Sequence, residues 1–117
     1  MKHTIEAAIS AHQAWTETFL NAIEQKKISE AVSASGYDDL CAFGKWLYSL
    51  DDKIKRTPNY RRVKDMHYRF HAEAAEIVSL MNQADFAGAR ARLAVEYADI
   101  STKLLALLNE WKNAEGG

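Results

Sequence analysis

Long, uninterrupted helical patterns limit the fold of this chain more than any other feature. Its 117 residues include one proline, Pro58, and five glycines. No segment shows the dense β-branched alternation that strands need, and apolar residues recur at helical spacing over long stretches. The sequence therefore predicts an all-α fold. We expect a four-helix bundle-like domain with three long, largely antiparallel helices and one short helix that carries the cysteine.

Local start signals divide the chain into these four helices. Thr57-Pro58 reads as an N-cap followed by the first helical residue, the favoured place for proline. Asp85 is the expected cap of the last helix, and Asp38 or Asp39 that of the short one. The predicted helices cover residues 4–27, 37–50 and 58–82, and then a segment from Asp85 to about residue 113. Residues 29–36 are predicted to be a loop, and residues 51–56 a polar connector.

Composition limits the possible function classes. With 48% hydrophobic and 26% charged residues, the chain is typical of one globular domain over residues 1–117. A net charge of -1 gives no basic excess for non-specific nucleic-acid binding. There is no apolar run of membrane-spanning length and no signal-peptide pattern, and a lone cysteine suits the reducing cytoplasm. We therefore expect a cytoplasmic protein.

Three histidines and the only cysteine fall on or beside the apolar stripes of the predicted helices. His67 and His71 are four residues apart, so they share one helix face, while His12 lies on the first helix and Cys41 on the short one. Buried imidazoles without partners are costly, which favours a shared reason for their position. Three imidazoles and one thiolate form a ligand set that suits Zn²⁺.

The same ligand set argues against an enzyme. Four protein ligands close a tetrahedral site, whereas a catalytic zinc keeps one position open for water. The segment H-Y-R-F-H from His67 to His71 also lacks the glutamate that acts as base in zinc proteases. The sequence predicts a non-catalytic zinc site, with no catalytic residues.

Three short motifs in series resemble the chemoreceptor zinc-binding domain family, often called CZB. That family shows His-x-x-Trp in its first helix, Cys-x-Phe-Gly-x-Trp in a short second element and His-x-x-x-His in its third helix. The matching positions here, with no departure at a ligand position, are His12 and Trp15, then Cys41, Phe43, Gly44 and Trp46, and then His67 and His71.

The resemblance implies a function that the spacing alone does not. The family binds zinc through three histidines and one cysteine in bacterial cytoplasmic signalling proteins, attached to chemoreceptors or diguanylate cyclases or standing alone. Its members resemble modules that form dimers and sense zinc or oxidants such as hypochlorous acid. We therefore expect a homodimeric sensory module, free-standing or part of a larger receptor or cyclase. No direct membrane insertion and no nucleic-acid partner is expected.

Within this interpretation Cys41 is the redox-sensing residue, because a metal-bound thiolate is the form of cysteine that oxidants attack. Trp15, Phe43 and Trp46 are expected to shield the site from water. His3, near the terminus, is expected to be exposed. The sequence leaves open whether one group of residues forms a dimer seam or the core of the single chain: Ile5, Ile9, Leu104, Leu108 and Trp111.

Two other functions remain as alternatives. One is a hemerythrin-like di-iron oxygen carrier, which needs bridging carboxylates that the residues four beyond each histidine do not supply. The other is a metal-free helical interaction domain, in which Cys41 is inert core and the histidines are satisfied by hydrogen bonds. Visible absorbance discriminates the first, and elemental analysis the second.

Overall fold

A computed structural model describes residues 1–37 and 41–116 of the chain, and these residues form helices and no strands. The all-α prediction is confirmed. In chain order the helices are α1 (Lys2–Gln25), α2 (Glu30–Ala34), α3 (Ala42–Ser49), α4 (Asp52–Lys55), α5 (Pro58–Asn82), α6 (Phe86–Arg92) and α7 (Ala98–Gly116), with a π-helical turn (Leu93–Tyr97) between α6 and α7.

The three long helical segments are present as predicted. α5 spans the predicted residues, with the Thr57 hydroxyl accepting from the Tyr60 amide and Pro58 in the first turn. Asp85 caps α6 by accepting from the Gly88 amide. The molecule measures 45 × 21 × 19 Å. Because 25 helical residues span about 37 Å, the long helices lie along its long axis.

Two segments predicted to be irregular are short helices instead, so both predictions were wrong. In the expected loop over residues 29–36, the Ser29 hydroxyl caps α2 by accepting from the Val32 amide. In the expected connector over residues 51–56, the Asp51 carboxylate caps α4 by accepting from the Ile54 amide. In both segments serine or aspartate marks a helix start rather than a loop.

The helix that carries the cysteine is shorter than predicted. It begins at Ala42 rather than Tyr37, and Cys41 occupies its N-cap position with extended backbone angles. The Cys41 side chain makes no capping hydrogen bond. The expected caps Asp38 and Asp39 lie outside the described residues.

The last long helix contains one irregularity that the apolar pattern missed. Its five-residue π-helical turn ends at Tyr97, which is 1% exposed and packs against Phe19 and Phe70 with ring centroids 5.4 Å and 5.1 Å apart. Tyr97 lies four residues after Leu93 and seven before Leu104, so it belongs to the apolar stripe at ordinary helical spacing, although the sequence interpretation left it out.

The core lies along α7, which packs most closely on α5 and α1. Four of the five residues considered for a dimer seam lie in this core, fully or almost fully buried: Ile5, Leu104, Leu108 and Trp111. Ile9 packs partly buried against it. Trp111 contacts the rings of Trp46 and Tyr60, which connects the last helix to the segment that carries the cysteine.

None of the helices described for residues 1–37 and 41–116 is long and apolar enough to cross a membrane.

Candidate metal centre

The four residues predicted as metal ligands meet at one point. One nitrogen from each of His12, His67 and His71 and the sulfur of Cys41 all lie within 4.8 Å of one another. His12 comes from the middle of α1, His67 and His71 from successive turns of α5, and Cys41 from the start of α3. Three separate elements thus supply a group of ligand atoms that the sequence places far apart.

The interatomic distances fit a tetrahedral zinc ion. The His67 Nε2 lies 3.1 Å from the His71 Nε2 and 3.7 Å from the Cys41 Sγ. Zinc bonds of about 2.0 Å to nitrogen and about 2.3 Å to sulfur hold two nitrogens about 3.3 Å apart, and a nitrogen and a sulfur about 3.5 Å apart. These two pairs are within a few tenths of an ångström of the spacing in a zinc site, while the remaining pairs lie within 4.8 Å and would have to move closer together to share one ion.

His12 gives the strongest local sign of a missing partner. Its Nδ1 donates to the Ala8 carbonyl oxygen at 2.7 Å, which leaves Nε2 as the lone-pair nitrogen. That Nε2 is buried and has no hydrogen-bond partner among the described residues. A buried acceptor without a partner costs about 1–3 kcal/mol, and a metal ion in the cluster would satisfy it.

His71 is held by a backbone carbonyl from another element. Its Nδ1 donates to the Ser35 carbonyl oxygen at 2.5 Å, at the end of α2. The next residue, Gly36, lies so close to α5 that an added Cβ would sit 2.7 Å from the Ala75 Cβ. Gly36 thus permits the close approach that places the Ser35 carbonyl on the histidine, and this contact orients the His71 Nε2 toward the cluster.

Burial keeps two histidines of the cluster, His12 and His67, uncharged. The exposed fractions of His12, His67 and His71 are 1%, 1% and 2%. Desolvation lowers the pKa of His12 to about 4, against the opposing hydrogen bond to Ala8, and His71 lowers it further. Desolvation, followed by the charges of His71 and His12, lowers the pKa of His67 to about 2. These two imidazoles are therefore neutral at pH 7, the form that binds metal.

Aromatic rings surround the cluster. Phe43 lies edge-on to His12 and His67, and Trp46 stacks on Phe43, with ring centroids 5.5 Å apart. Phe70, which the sequence interpretation did not single out as part of the site, lies 5.0 Å from the His12 ring and also contacts His71.

Trp15 has a different place. It tilts against Phe19 and lines a cavity of about 490 Å³ that His12, Cys41 and His71 also line. Its ring is therefore part of the cavity wall beside the cluster rather than of the ring layer formed by Phe43 and Phe70.

Several functional contacts had no signal in the residue pattern. The carbonyls of Ala8 and Ser35 act through the backbone, so their residue types give no indication of the role.

His3 is exposed, as expected.

No carboxylate belongs to the cluster in the described part of the chain. Glu73, two residues beyond His71, is buried but forms a bidentate ion pair with Arg92. The carboxylate of Glu73 is therefore occupied by the Arg92 guanidinium and is directed away from the cluster. A di-iron site needs bridging carboxylates, so the geometry does not support the hemerythrin-like alternative.

Comparison with known proteins agrees with this geometry. The family model described as chemoreceptor zinc-binding domain matches residues 12–78, which is more than half of the chain and contains all four clustered residues. Searches of curated proteins and of solved structures find no match.

Proposed function

Because the chain belongs to the chemoreceptor zinc-binding domain family, we propose that it is a sensory module that holds one Zn²⁺ between His12, Cys41, His67 and His71. The observation that carries the proposal is the buried His12 Nε2, which lacks a partner and lies within 4.8 Å of the other three ligand atoms. The metal-free alternative leaves this nitrogen unsatisfied even if His67 donates to His71.

The site is structural and regulatory rather than catalytic. Bound zinc would keep the Cys41 sulfur as a thiolate and link α3 to α1 and α5. The histidines supply neutral nitrogens from two long helices, and two of them are oriented by backbone carbonyls. With four protein ligands no position remains for a reacting water, and no glutamate among the described residues joins the cluster as a base.

Cys41 is the ligand through which an oxidant would change the site. Its thiolate attacks the chlorine of hypochlorous acid, so an S–Cl bond forms, the O–Cl bond breaks and hydroxide leaves. Water then displaces chloride from the sulfur and loses a proton, leaving a sulfenic acid. The sulfur loses two electrons and the chlorine gains two. The weaker ligand that results releases the start of α3 from the histidines.

The output of this change is a signalling domain. In this proposal the module acts in the cytoplasm, as a homodimer, on a chemoreceptor signalling domain or a diguanylate cyclase, in the same chain or in trans. The family membership supports this assignment. A change in zinc occupancy, in Cys41 oxidation or in both is the signal that the module reports.

Zinc content tests the first part of the proposal. Tag-free protein should contain about one zinc per chain, as four ligands predict. Cys41→Ala and His71→Ala should lose it. His3→Ala, which removes an exposed histidine from the same helix as His12, should retain it. Wild-type protein without zinc, in a zinc-replete medium, would refute the proposal.

Limited oxidation tests the second part. Zinc-loaded protein is treated with less than one equivalent of hypochlorous acid, and zinc release, the mass of the Cys41 peptide and circular dichroism are followed together. We expect the fraction of zinc released to rise in proportion to the fraction of the Cys41 peptide that is oxidised. Cys41 oxidation that leaves both zinc and structure unchanged would refute this mechanism.

A further inference from the structure

The short helix α3 connects the metal centre to the last helix of the chain. Its start lies at the centre, where Cys41 joins the cluster and the Phe43 ring lies edge-on to His12. One turn further along α3, Trp46 stacks on Phe43 and lies against Trp111 of α7, with ring centroids 5.5 Å and 5.7 Å apart. A continuous series of ring contacts therefore runs from a metal-site histidine to α7.

Side chains, rather than close packing of helix backbones, hold α3 in place. The backbone of α3 packs closely on none of the other described helices, while Phe43 and Leu47 reach into the core. The Trp111 ring is 1% exposed and contacts both Trp46 and Tyr60. The Tyr60 hydroxyl in turn donates to the Leu47 carbonyl oxygen at 3.2 Å. Trp111 thus supports the second half of α3 through two neighbours.

A side chain that holds α3 in place also affects metal binding. Zinc binding through the proposed ligands needs Cys41 beside the histidines, so a contact that favours this position of α3 raises the zinc affinity. The linkage is reciprocal, so zinc must strengthen the same contact by the same factor. The contact between Trp46 and Trp111 is therefore linked to zinc although neither residue is a proposed ligand.

We propose that Trp111 is a positioning residue for the metal centre and that it acts through Trp46 on α3. Zinc and the last turns of α7 then stabilise each other, and loss of zinc or oxidation of Cys41 loosens both α3 and the end of α7. The inference rests on the proposed zinc site and adds to it the helix that responds to the state of the site.

Zinc affinity in a double-mutant cycle tests this coupling. Trp46→Leu and Trp111→Leu each remove one ring of the pair and keep all four proposed ligands. Each should weaken zinc binding by about fivefold or more, as expected for coupled sites. The double variant should bind zinc about as well as the weaker single variant, because the second substitution has no ring contact left to remove. Competition with a chromophoric chelator measures each affinity.

Two results of this cycle would overturn the inference. One is a loss in the double variant equal to the product of the single losses, and the other is single losses below about twofold. Circular dichroism checks that each variant is folded. If Trp111→Leu is not folded, Trp111→Phe replaces it in the cycle and should give a smaller loss in the same direction.

Leu104→Ala is the control for a general loss of stability. Leu104 is buried in α7 two turns before Trp111, on the same side of the helix. Its truncation should lower the free energy of unfolding but change the zinc affinity by less than about twofold. Equal losses of zinc affinity in Leu104→Ala and Trp111→Leu would mean that Trp111 acts only through overall stability, which would contradict the inference.

Amide exchange separates this inference from the proposed function. When a chelator removes zinc, exchange in residues 104–112 should accelerate by about threefold or more in the wild type, and this acceleration should be lost in Trp46→Leu. A chain that binds no zinc refutes the proposed function. A chain that binds zinc, and in which the chelator accelerates exchange in α3 but not in residues 104–112, refutes the inference and leaves the proposed function standing.

Discussion

The two sides of the metal centre are built in different ways. The histidines are almost fully buried on the long helices α1 and α5, and backbone carbonyls orient two of them. Cys41 is half-buried at the N-cap of the eight-residue helix α3, and its side chain makes no capping bond. In the proposed function the buried histidines would hold the ion while the cysteine side detaches, and this asymmetry suits a module that responds without unfolding.

The largest expected effect comes from breaking the histidine side. His67→Ala should abolish stoichiometric zinc binding, so the free energy of unfolding in excess zinc should fall by about 3 kcal/mol or more, the linkage expected at a few hundred times the dissociation constant. Urea unfolding with zinc and with a chelator measures it. His3→Ala is the control and should keep the full zinc-dependent difference. A zinc-dependent stability retained in His67→Ala would contradict the proposed ligand set.

A smaller effect is expected from the support behind His71. Gly36→Ala places a Cβ against Ala75, which should push the Ser35 carbonyl away from the histidine. Loss of such a contact weakens metal binding by about 10- to 100-fold. Competition with a chromophoric chelator measures the affinity. Ser33→Ala, an exposed change on the preceding helix α2, should leave it unchanged, and an unaltered affinity in Gly36→Ala would show that the carbonyl contact contributes nothing.

Removal of zinc should expose the difference between the two sides directly. Amide exchange in α3 should accelerate by about tenfold or more when a chelator is added, because the ion links this short helix to the long ones. The central turns of α5 should change less, since they are buried against α7. Mass spectrometry of peptic fragments measures both. Equal acceleration in α3 and α5 would mean that the asymmetry has no dynamic consequence.

The smallest expected effect is on the pH dependence of the zinc-free protein. Burial lowers the pKa of His12 to about 4 and that of His67 to about 2, from the ordinary histidine pKa of 6.5. Below pH 6.5 the unfolded chain therefore binds protons that the folded chain does not. The free energy of unfolding of the zinc-free protein is therefore highest above pH 6.5, and it falls as the pH drops toward 4.

The free energy of unfolding should fall by about 1 kcal/mol for each of the two histidines between about pH 7 and pH 5.5. Urea unfolding in the presence of a chelator measures it. His12→Gln should have a shallower slope than the wild type, whereas His3→Ala, at an exposed position, should follow the wild-type curve. A flat wild-type profile would contradict the desolvation of the two imidazoles.

The side chains of the cluster could be predicted from the sequence, whereas the backbone groups that orient two of them could not. The four-residue spacing places His67 and His71 on one face of α5, and the motifs around His12 and Cys41 indicate the other two members of the cluster. The Ser35 carbonyl is invisible to such reasoning because any residue carries a carbonyl. Its position depends on α2 and on the absence of a Cβ at Gly36, and both lie in a segment whose composition resembles a loop.

The long helices were predictable because their apolar patterns are long and begin at clear caps. The π-helical turn in the last long segment had no counterpart in the residue pattern. Tyr97, at the end of that turn, is buried at ordinary helical spacing, four residues after Leu93 and seven before Leu104. The ion pair between buried Glu73 and Arg92 was not predictable either, because it joins two helices whose contact the residue pattern does not reveal.

The π-helical turn lies beyond the matched residues 12–78, between the core-packed α6 and the end of α7. Each helical residue rotates the chain by about 100° and advances it by about 1.5 Å. The turn therefore changes the angular position, about the helix axis, of every residue that follows it in α7. If another helix continued directly from the end of α7, the direction of its faces would depend on Leu93–Tyr97. Deletion of one residue in that turn would rotate a domain fused in this way by more than a quarter of a revolution about the helix axis.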